Sequence, residues 1–237
     1  MKHNKLLFEV CANSIQSALN AEAARADRIE LCEQLEIGGV TPRHEVIIEE
    51  KEKISIPIHV LVRPRGGDFC YSEKEFRIMK KDIEWLKQVN VAGVVIGILN
   101  PDFTIDKIRC AELINLARPL SVTFHRAFDE VKEPFQTLEE LISLGVNRIL
   151  TSGQKENALD GVILLNQLAK QANDRITILA GGGITEENIS AIVQQSGTNE
   201  FHFSAKAKLE DGTYVSDLNR IRKISELARR SFQQIYE

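Results

Sequence analysis

Short apolar runs alternate with longer amphipathic stretches from one end of the chain to the other. The apolar runs are β-branched and bounded by Gly, Pro, Asn or Asp, the pattern of strands in α/β proteins. They fall at 5–11, 27–32, 56–63, 92–97, 119–125, 146–151, 176–180 and 200–204. Helical periodicity fills the intervals 13–25, 42–52, 73–89, 105–117, 134–144, 158–172, 186–195 and 217–234. Within 73–89, Phe76, Met79, Ile83 and Leu86 share one stripe, as a core-facing helix requires. Met79 and Trp85 are read as packing residues.

Local punctuation supports these boundaries. Ser72 followed by Glu75 is a capping box, and Asn13 is placed to cap the first helix. Pro42 and Pro134 suit first-turn positions. Eight βα units in this length predict an α/β fold, a single (β/α)8 TIM barrel. An open doubly wound sheet would show a glycine-rich turn after its first strand. Here Val10 is followed by Cys-Ala-Asn-Ser, so the closed barrel is the expectation. No Gly/Ser/Pro-rich linker or low-complexity tract interrupts the 237 residues, and one domain spanning 1–237 is expected.

Composition adds exclusions. Apolar residues make up 43% and charged residues 27%, ordinary values for a chain with a sizeable core. A net charge of -4 and a pI near 5.8 give no electrostatic reason for a nucleic acid or anionic membrane partner. No apolar run approaches the roughly 18 residues of a membrane span. Met1-Lys2-His3-Asn4 leads into a strand with no secretory apolar segment. The four cysteines, at 11, 32, 70 and 110, have no framework spacing, which predicts a reduced, cytoplasmic protein. No CxxC or HExxH motif advertises a zinc site.

Candidate chemistry gathers at strand ends, where such barrels place their sites. Glu9-Val10-Cys11 and Glu30-Leu31-Cys32 each put a carboxylate and a thiol on one strand face, because side chains two apart point the same way. Glu9 and Glu30 on neighbouring strands need a cation between them, and Arg63, one strand further on, is the expected counter-ion. A purely structural ion-pair layer would also explain these three. The same rim adds Arg65, His125, Arg126, Asp129, Thr151, Ser152, Gly181-Gly182-Gly183, His202, Ser204 and Lys206. Only the fourth run, ending Gly97-Ile98-Leu99-Asn100, contributes almost nothing polar. Gly182, Gly183, Ser204 and Lys206 form a candidate anion cradle after the last two strands. Arg65 and Arg126 are further candidates for holding an anionic group. His59, lower in the third strand, reads as a core histidine, and Cys110 as an inert buried thiol. Cys11 and Cys32 together offer two soft ligands to Cu(I), with Cys70 as a third candidate.

The motifs are also recognisable as a set. Glu9-Val-Cys11, Ala26-Asp-Arg-Ile-Glu-Leu-Cys32, Gly38-Gly-Val-Thr-Pro42, Arg63-Pro-Arg-Gly-Gly-Asp-Phe69, Thr123-Phe-His-Arg-Ala-Phe-Asp129, Leu150-Thr-Ser-Gly153, Gly181-Gly-Gly-Ile184 and Glu200-Phe-His202 resemble the CutC family of copper homeostasis proteins. The resemblance runs from residue 7 to about residue 206. It implies a cytoplasmic TIM barrel, a homodimer or larger homo-oligomer, and a link to copper with Cys11 and Cys32 at the family's Cu(I) positions. Val40 and Arg43 depart from the family's more usual Leu and Ser in the loop after the second strand.

Two functions follow as expectations. One is a copper-associated binding protein that takes Cu(I) through Cys11 and Cys32, with Glu9, Glu30 and His202 around them. The other is an enzyme of lyase, isomerase or hydrolase type acting on a small anionic or sugar-like metabolite. In it Glu9 or Glu30 and His125 serve as acid and base, with His202 and Asp129 beside them. Arg63 and Arg126 orient the substrate, and Gly182, Gly183 and Ser204 hold its anionic group.

Overall fold

The computed structural model describes residues 5–210 and 212–236. Strands and helices alternate as β1 (Leu7–Ala12), α1 (Ile15–Ala23), β2 (Arg28–Leu31), α2 (His44–Lys53), β3 (Ile58–Leu61), α3 (Glu73–Gln88), β4 (Gly93–Ile96) and α4 (Lys107–Ala117). They continue as β5 (Ser121–Phe124), α5 (Pro134–Leu144), β6 (Arg148–Thr151), α6 (Val162–Ala172), β7 (Thr177–Gly181), α7 (Ile189–Ser196) and β8 (Glu200–Phe203). A short antiparallel hairpin, β9 (Lys206–Lys208) and β10 (Tyr214–Ser216), precedes α8 (Leu218–Tyr236). Strands β1 to β8 form a closed parallel barrel in chain order, with β8 pairing back onto β1. The expected (β/α)8 architecture is therefore the observed one. The sequence reading did not anticipate the hairpin, or the 3-10 turns at Leu35–Ile37 and Arg126–Glu130.

Caps set the helix starts. Ser72 and Glu75 form the reciprocal capping box at the start of α3. Pro134 occupies the first turn of α5. Two expectations shift by a residue or two. Ser14 caps α1 by accepting from the Ser17 N–H, while Asn13 accepts the Ser17 hydroxyl. Pro42 lies just outside α2, whose N-cap is Arg43.

The main apolar core lies between barrel and helices. Phe8, Val10, Ile29, Leu31, Val60, Val94, Ile96, Phe124, Ile149, Ile178 and Phe201 point outward into it. They meet helix stripes such as Phe76, Met79, Ile83 and Leu86 of α3. Alternate residues therefore point into the barrel. Strand pairing sorts them into layers, because tilted strands contribute to a given layer from alternate positions around the ring. Pairings such as Glu9 with Arg28, Glu30 with His59, Thr123 with Arg148 and Leu179 with Glu200 fix the order. The lowest layer holds Arg28, Gly93, Arg148 and Glu200. Above it come Glu9, His59, Thr123 and Leu179, then Glu30, Val95, Leu150 and His202. Cys11, Leu61, His125 and Gly181 lie nearest the mouth.

Branched aliphatic residues usually dominate such an interior. Here most positions are polar or small, and the charges are satisfied internally. Arg28 reaches Glu9 with Nε and Glu200 with Nη2 at 2.6 Å. Arg148 donates to the same Glu200 oxygen at 2.9 Å and to the Ser121 hydroxyl at 2.7 Å. The counter-ion expected in Arg63 is thus Arg28, which sits directly beside Glu9 in the strand register. The Arg63 guanidinium instead donates to the backbone carbonyls of Ile37, Gly39 and Gly67.

Candidate functional site

Above the charged layers the barrel opens into a cavity of about 150 Å3. Cys11, Glu30, Cys32, Arg63, His125, Arg126 and His202 line it together with Leu35, Leu61, Phe69 and Leu150. Larger clefts of about 450 and 400 Å3 lie elsewhere, one between α6, α7 and α8 near the lower end of the barrel and one between α4 and α5. Neither contains the strand-end groups that carry chemistry, so the smaller mouth cavity is the candidate site.

The two thiols meet at its edge. Cys11 on β1 pairs in register with Glu30, and Cys32 lies two residues beyond Glu30 on the same face. The sulfurs are 3.6 Å apart, and both residues are buried. Contact with Cys32 and burial push the Cys11 thiol well above the usual thiol range. Cys11 and Cys32, both free thiols, pack with Leu61 and Val95 inside the barrel, separate from the main core.

A chain of ionisable groups backs the thiols. His202 Nδ1 lies 2.7 Å from Glu9 Oε1, and its Nε2 is 3.4 Å from Glu30. Burial alone would keep Glu9 protonated, but the Arg28 guanidinium and His202 outweigh it and hold the carboxyl well below the usual range. An ionised carboxylate can only accept, so Nδ1 is the donor of that bond. Burial likewise opposes charge on His202, yet Glu30, Cys11 and Glu9 raise its pKa well above the ordinary histidine value. Glu30 moves the other way from Glu9: burial and the Glu9 charge raise its pKa despite His202. One carboxylate is thus held ionised and its neighbour more easily protonated. Cys11, Glu30 and His202 place ligand atoms within 4.8 Å of one another, the only such potential metal-binding cluster among the described residues.

His125 differs from His202. Its Nδ1 accepts the Ala127 N–H at 3.1 Å, and Phe69 packs against its ring in a tilted arrangement, with centroids 4.8 Å apart. Burial and the Arg63 charge push its pKa down to about 3, so it is a neutral imidazole at physiological pH. The glycines of the barrel make room for these rings. A Cβ on Gly97 would stand 2.4 Å from the His125 ring and one on Gly93 2.8 Å from the His59 ring, while one on Gly181 would meet Leu150 at 2.5 Å before the His202 ring at 3.4 Å. The apparently featureless fourth strand therefore shapes the site by what it lacks.

The candidate anion cradle forms an adjoining cleft of about 370 Å3, lined by Gly182, Gly183, Ser204, Lys206 and Arg220. Cys11, Leu35, Arg126 and His202 border both spaces. Glu186, which could have repelled an anion there, is tied by both oxygens to Arg220. Other expected residues are placed elsewhere. Asp129 lines neither space; it accepts from Thr151, Ser152, the Gln154 N–H and Arg126, which organises the loop after β6. Arg65 is engaged by Asp68, Glu75 and the Cys70 carbonyl. Cys70 itself is half-buried and does not line the mouth cavity. The sequence reading missed Arg28 and Arg148, although Arg28 shares its face with Glu30 and Cys32.

Comparison with known proteins agrees with the barrel fold. The family model described as "CutC family" matches residues 6–207. A human protein named copper homeostasis protein cutC homolog is 48% identical over 209 residues, which cover 88% of this chain and 77% of the human one. A CutC family protein of Bacteroides thetaiotaomicron is 48% identical over 207 residues, 87% of this chain and 83% of its own. A CutC crystal structure from Streptococcus agalactiae superposes with a TM-score of 0.80 at 33% identity, covering 84% of this chain and 98% of the other. More distant barrels share the fold alone, such as phosphoribosyl anthranilate isomerase from Thermococcus kodakaraensis at 16% identity and TM-score 0.60, covering 94% of this chain and 99% of the other. The chain belongs to the CutC family.

Proposed function

We propose that this CutC family chain is a copper homeostasis protein that binds Cu(I) as cargo through Cys11 and Cys32. The observation that carries this reading is the pair of buried sulfurs 3.6 Å apart at the barrel mouth. Thiolates are the soft ligands that Cu(I) prefers, and no softer pair exists among the described residues. The flanking groups suit a metal-side imidazole. A ligating histidine usually donates its second ring N–H to a carboxylate, and His202 Nδ1 already faces Glu9 at 2.7 Å. Loss of the His202 proton would leave its other nitrogen available beside Cys11. Glu30 is the adjacent carboxylate that can take up a displaced proton. The names of the human and Bacteroides relatives point to the same role.

Both thiols must shed protons to bind, and the Cys11 pKa is raised. Apparent affinity therefore rises with pH. The test is competition against a bathocuproine-type chelator under reducing conditions. Wild type is expected to take one Cu(I) per chain, more tightly at pH 8 than at pH 6. The variant carrying Cys11→Ser and Cys32→Ser is expected to lose at least about a hundredfold in affinity, roughly 3 kcal/mol. Unchanged competition by the double variant would end the metal reading. The cytoplasmic, dimeric state implied by family resemblance belongs to the same proposal. Among the described residues no helix is long and apolar enough to cross a membrane.

A further inference from the structure

Cu(I) binding leaves part of the mouth cavity without a role. Opposite the thiols, two of the lining side chains, His125 and Arg63, each keep one buried nitrogen without a hydrogen-bond partner among the described residues. His125 is 5% exposed, and its Nδ1 lone pair is taken by the Ala127 N–H. A neutral imidazole so bonded carries its proton on Nε2. That Nε2 is buried and has no hydrogen-bond partner among the described residues. Arg63, 5% exposed, is in the same condition at Nε, with the Tyr71 hydroxyl beside its side chain, and makes no ion pair among the described residues. A buried donor left unpaired costs about 1–3 kcal/mol, and the His125 Nε2–H, unpaired and within reach of the Arg63 charge, calls for an acceptor from outside the chain.

The local charge points the same way. Arg63, Arg126 and His202 line the cavity, against a single carboxylate, Glu30, which lies beside His202 Nε2 at 3.4 Å. Glu130, whose proton feels the Arg63 charge, stands outside the lining. Phe69 packs on both donors, 4.8 Å from the His125 ring and 4.8 Å from the Arg63 guanidinium carbon. A cavity of about 150 Å3 is the size of an engineered one that takes benzene, so the occupant has about six heavy atoms.

We propose that the mouth cavity is a binding site for a small carboxylate of about six heavy atoms, whose oxygens accept from His125 Nε2–H and Arg63. The site does not depend on the thiols holding copper. The neutral, donating histidine next to a cation is suited to a carboxylate or to a carbonyl conjugated with one. A phosphate ester would instead favour the glycine-lined cleft beside Lys206.

The test uses the full chain labelled with 15N at histidine, in the presence of a Cu(I) chelator, titrated with sodium pyruvate and separately with the neutral isostere pyruvamide. Before addition, His125 should show a protonated Nε2 and an unprotonated Nδ1 from pH 6 to 8. Pyruvate is expected to shift the Nε2–H resonance saturably in the millimolar range, and pyruvamide at least about tenfold more weakly. His125→Asn keeps an acceptor for the Ala127 N–H but removes the Nε2 donor. It is expected to fold and to lose binding, read by heat of titration. The Cys11→Ser, Cys32→Ser variant should retain the pyruvate response even where Cu(I) binding is gone, which separates this site from the copper reading. No saturable shift with pyruvate, or with acetate and malonate as shorter and longer probes, overturns the proposal. So does equal binding by His125→Asn.

Discussion

Glu50 shows how much one misplaced charge can say about the rest of a helix. It lies in α2, is fully buried, and neither carboxylate oxygen has a hydrogen-bond partner among the described residues. Burial, with help from Glu49, raises its pKa to about 7. A carboxyl whose folded pKa exceeds its unfolded value holds its proton longer when folded. Its contribution is present below about pH 4.5 and is lost as pH rises towards 7. Glu50→Met, which removes the polar group at similar volume, should therefore stabilise the protein by about 1–3 kcal/mol at pH 8. The gain should shrink at pH 5, and urea unfolding at the two pH values measures it. Residue-scale chemistry at the mouth was partly legible in the sequence. The parity of Glu9 with Cys11 and of Glu30 with Cys32 located the thiol pair. Arg63 was expected to neutralise the carboxylates because it lay one strand away. Register gave that position to Arg28, which sits directly beside Glu9. Spacing reveals which face a residue occupies but not its height along the barrel.

At the scale of elements, β4 contributes through its glycines. Gly97 has an ordinary backbone conformation, so only space forbids a side chain there, and the space is filled by His125. Gly97→Ala should cost about 1–3 kcal/mol by overpacking. It should also displace the His125 ring, seen as a changed imidazole resonance together with a lower thermal midpoint. An unchanged ring signal would mean that β4 has slack the structure does not show. Strand boundaries and the helix stripes could be read from periodicity, as α3 and its capping box show. The β9–β10 hairpin could not, because Lys206–Lys208 and Tyr214–Ser216 are three-residue strands with little apolar alternation. A glycine's meaning is equally hidden in sequence, since it depends on a histidine a whole βα unit away.

Across the whole molecule, the barrel interior is an electrostatic unit rather than an oily plug. Arg28 joins β2 to Glu9 on β1 and Glu200 on β8, and Arg148 of β6 shares Glu200. Arg28→Met should cost about 3–5 kcal/mol at pH 7.5, because it strands buried charge. The native Glu9 pKa is depressed, so its stabilisation is present above about pH 4.5 and is lost as pH falls below that. The gap between variant and wild type should therefore be full at pH 7.5 and narrow as pH falls below about 4.5 towards 3 in denaturant titrations. A gap independent of pH would show that Arg28 acts through packing alone. Salt should change little, since these partners are shielded from solvent.

The pairing of β8 with β1 has a consequence during synthesis. Both sulfurs are made within the first 32 residues, yet His202 and the strand that seals the ring arrive only near residue 200. A nascent chain leaving the ribosome thus carries its thiols uncovered through most of translation. Any cover for them in that interval has to come from outside the polypeptide.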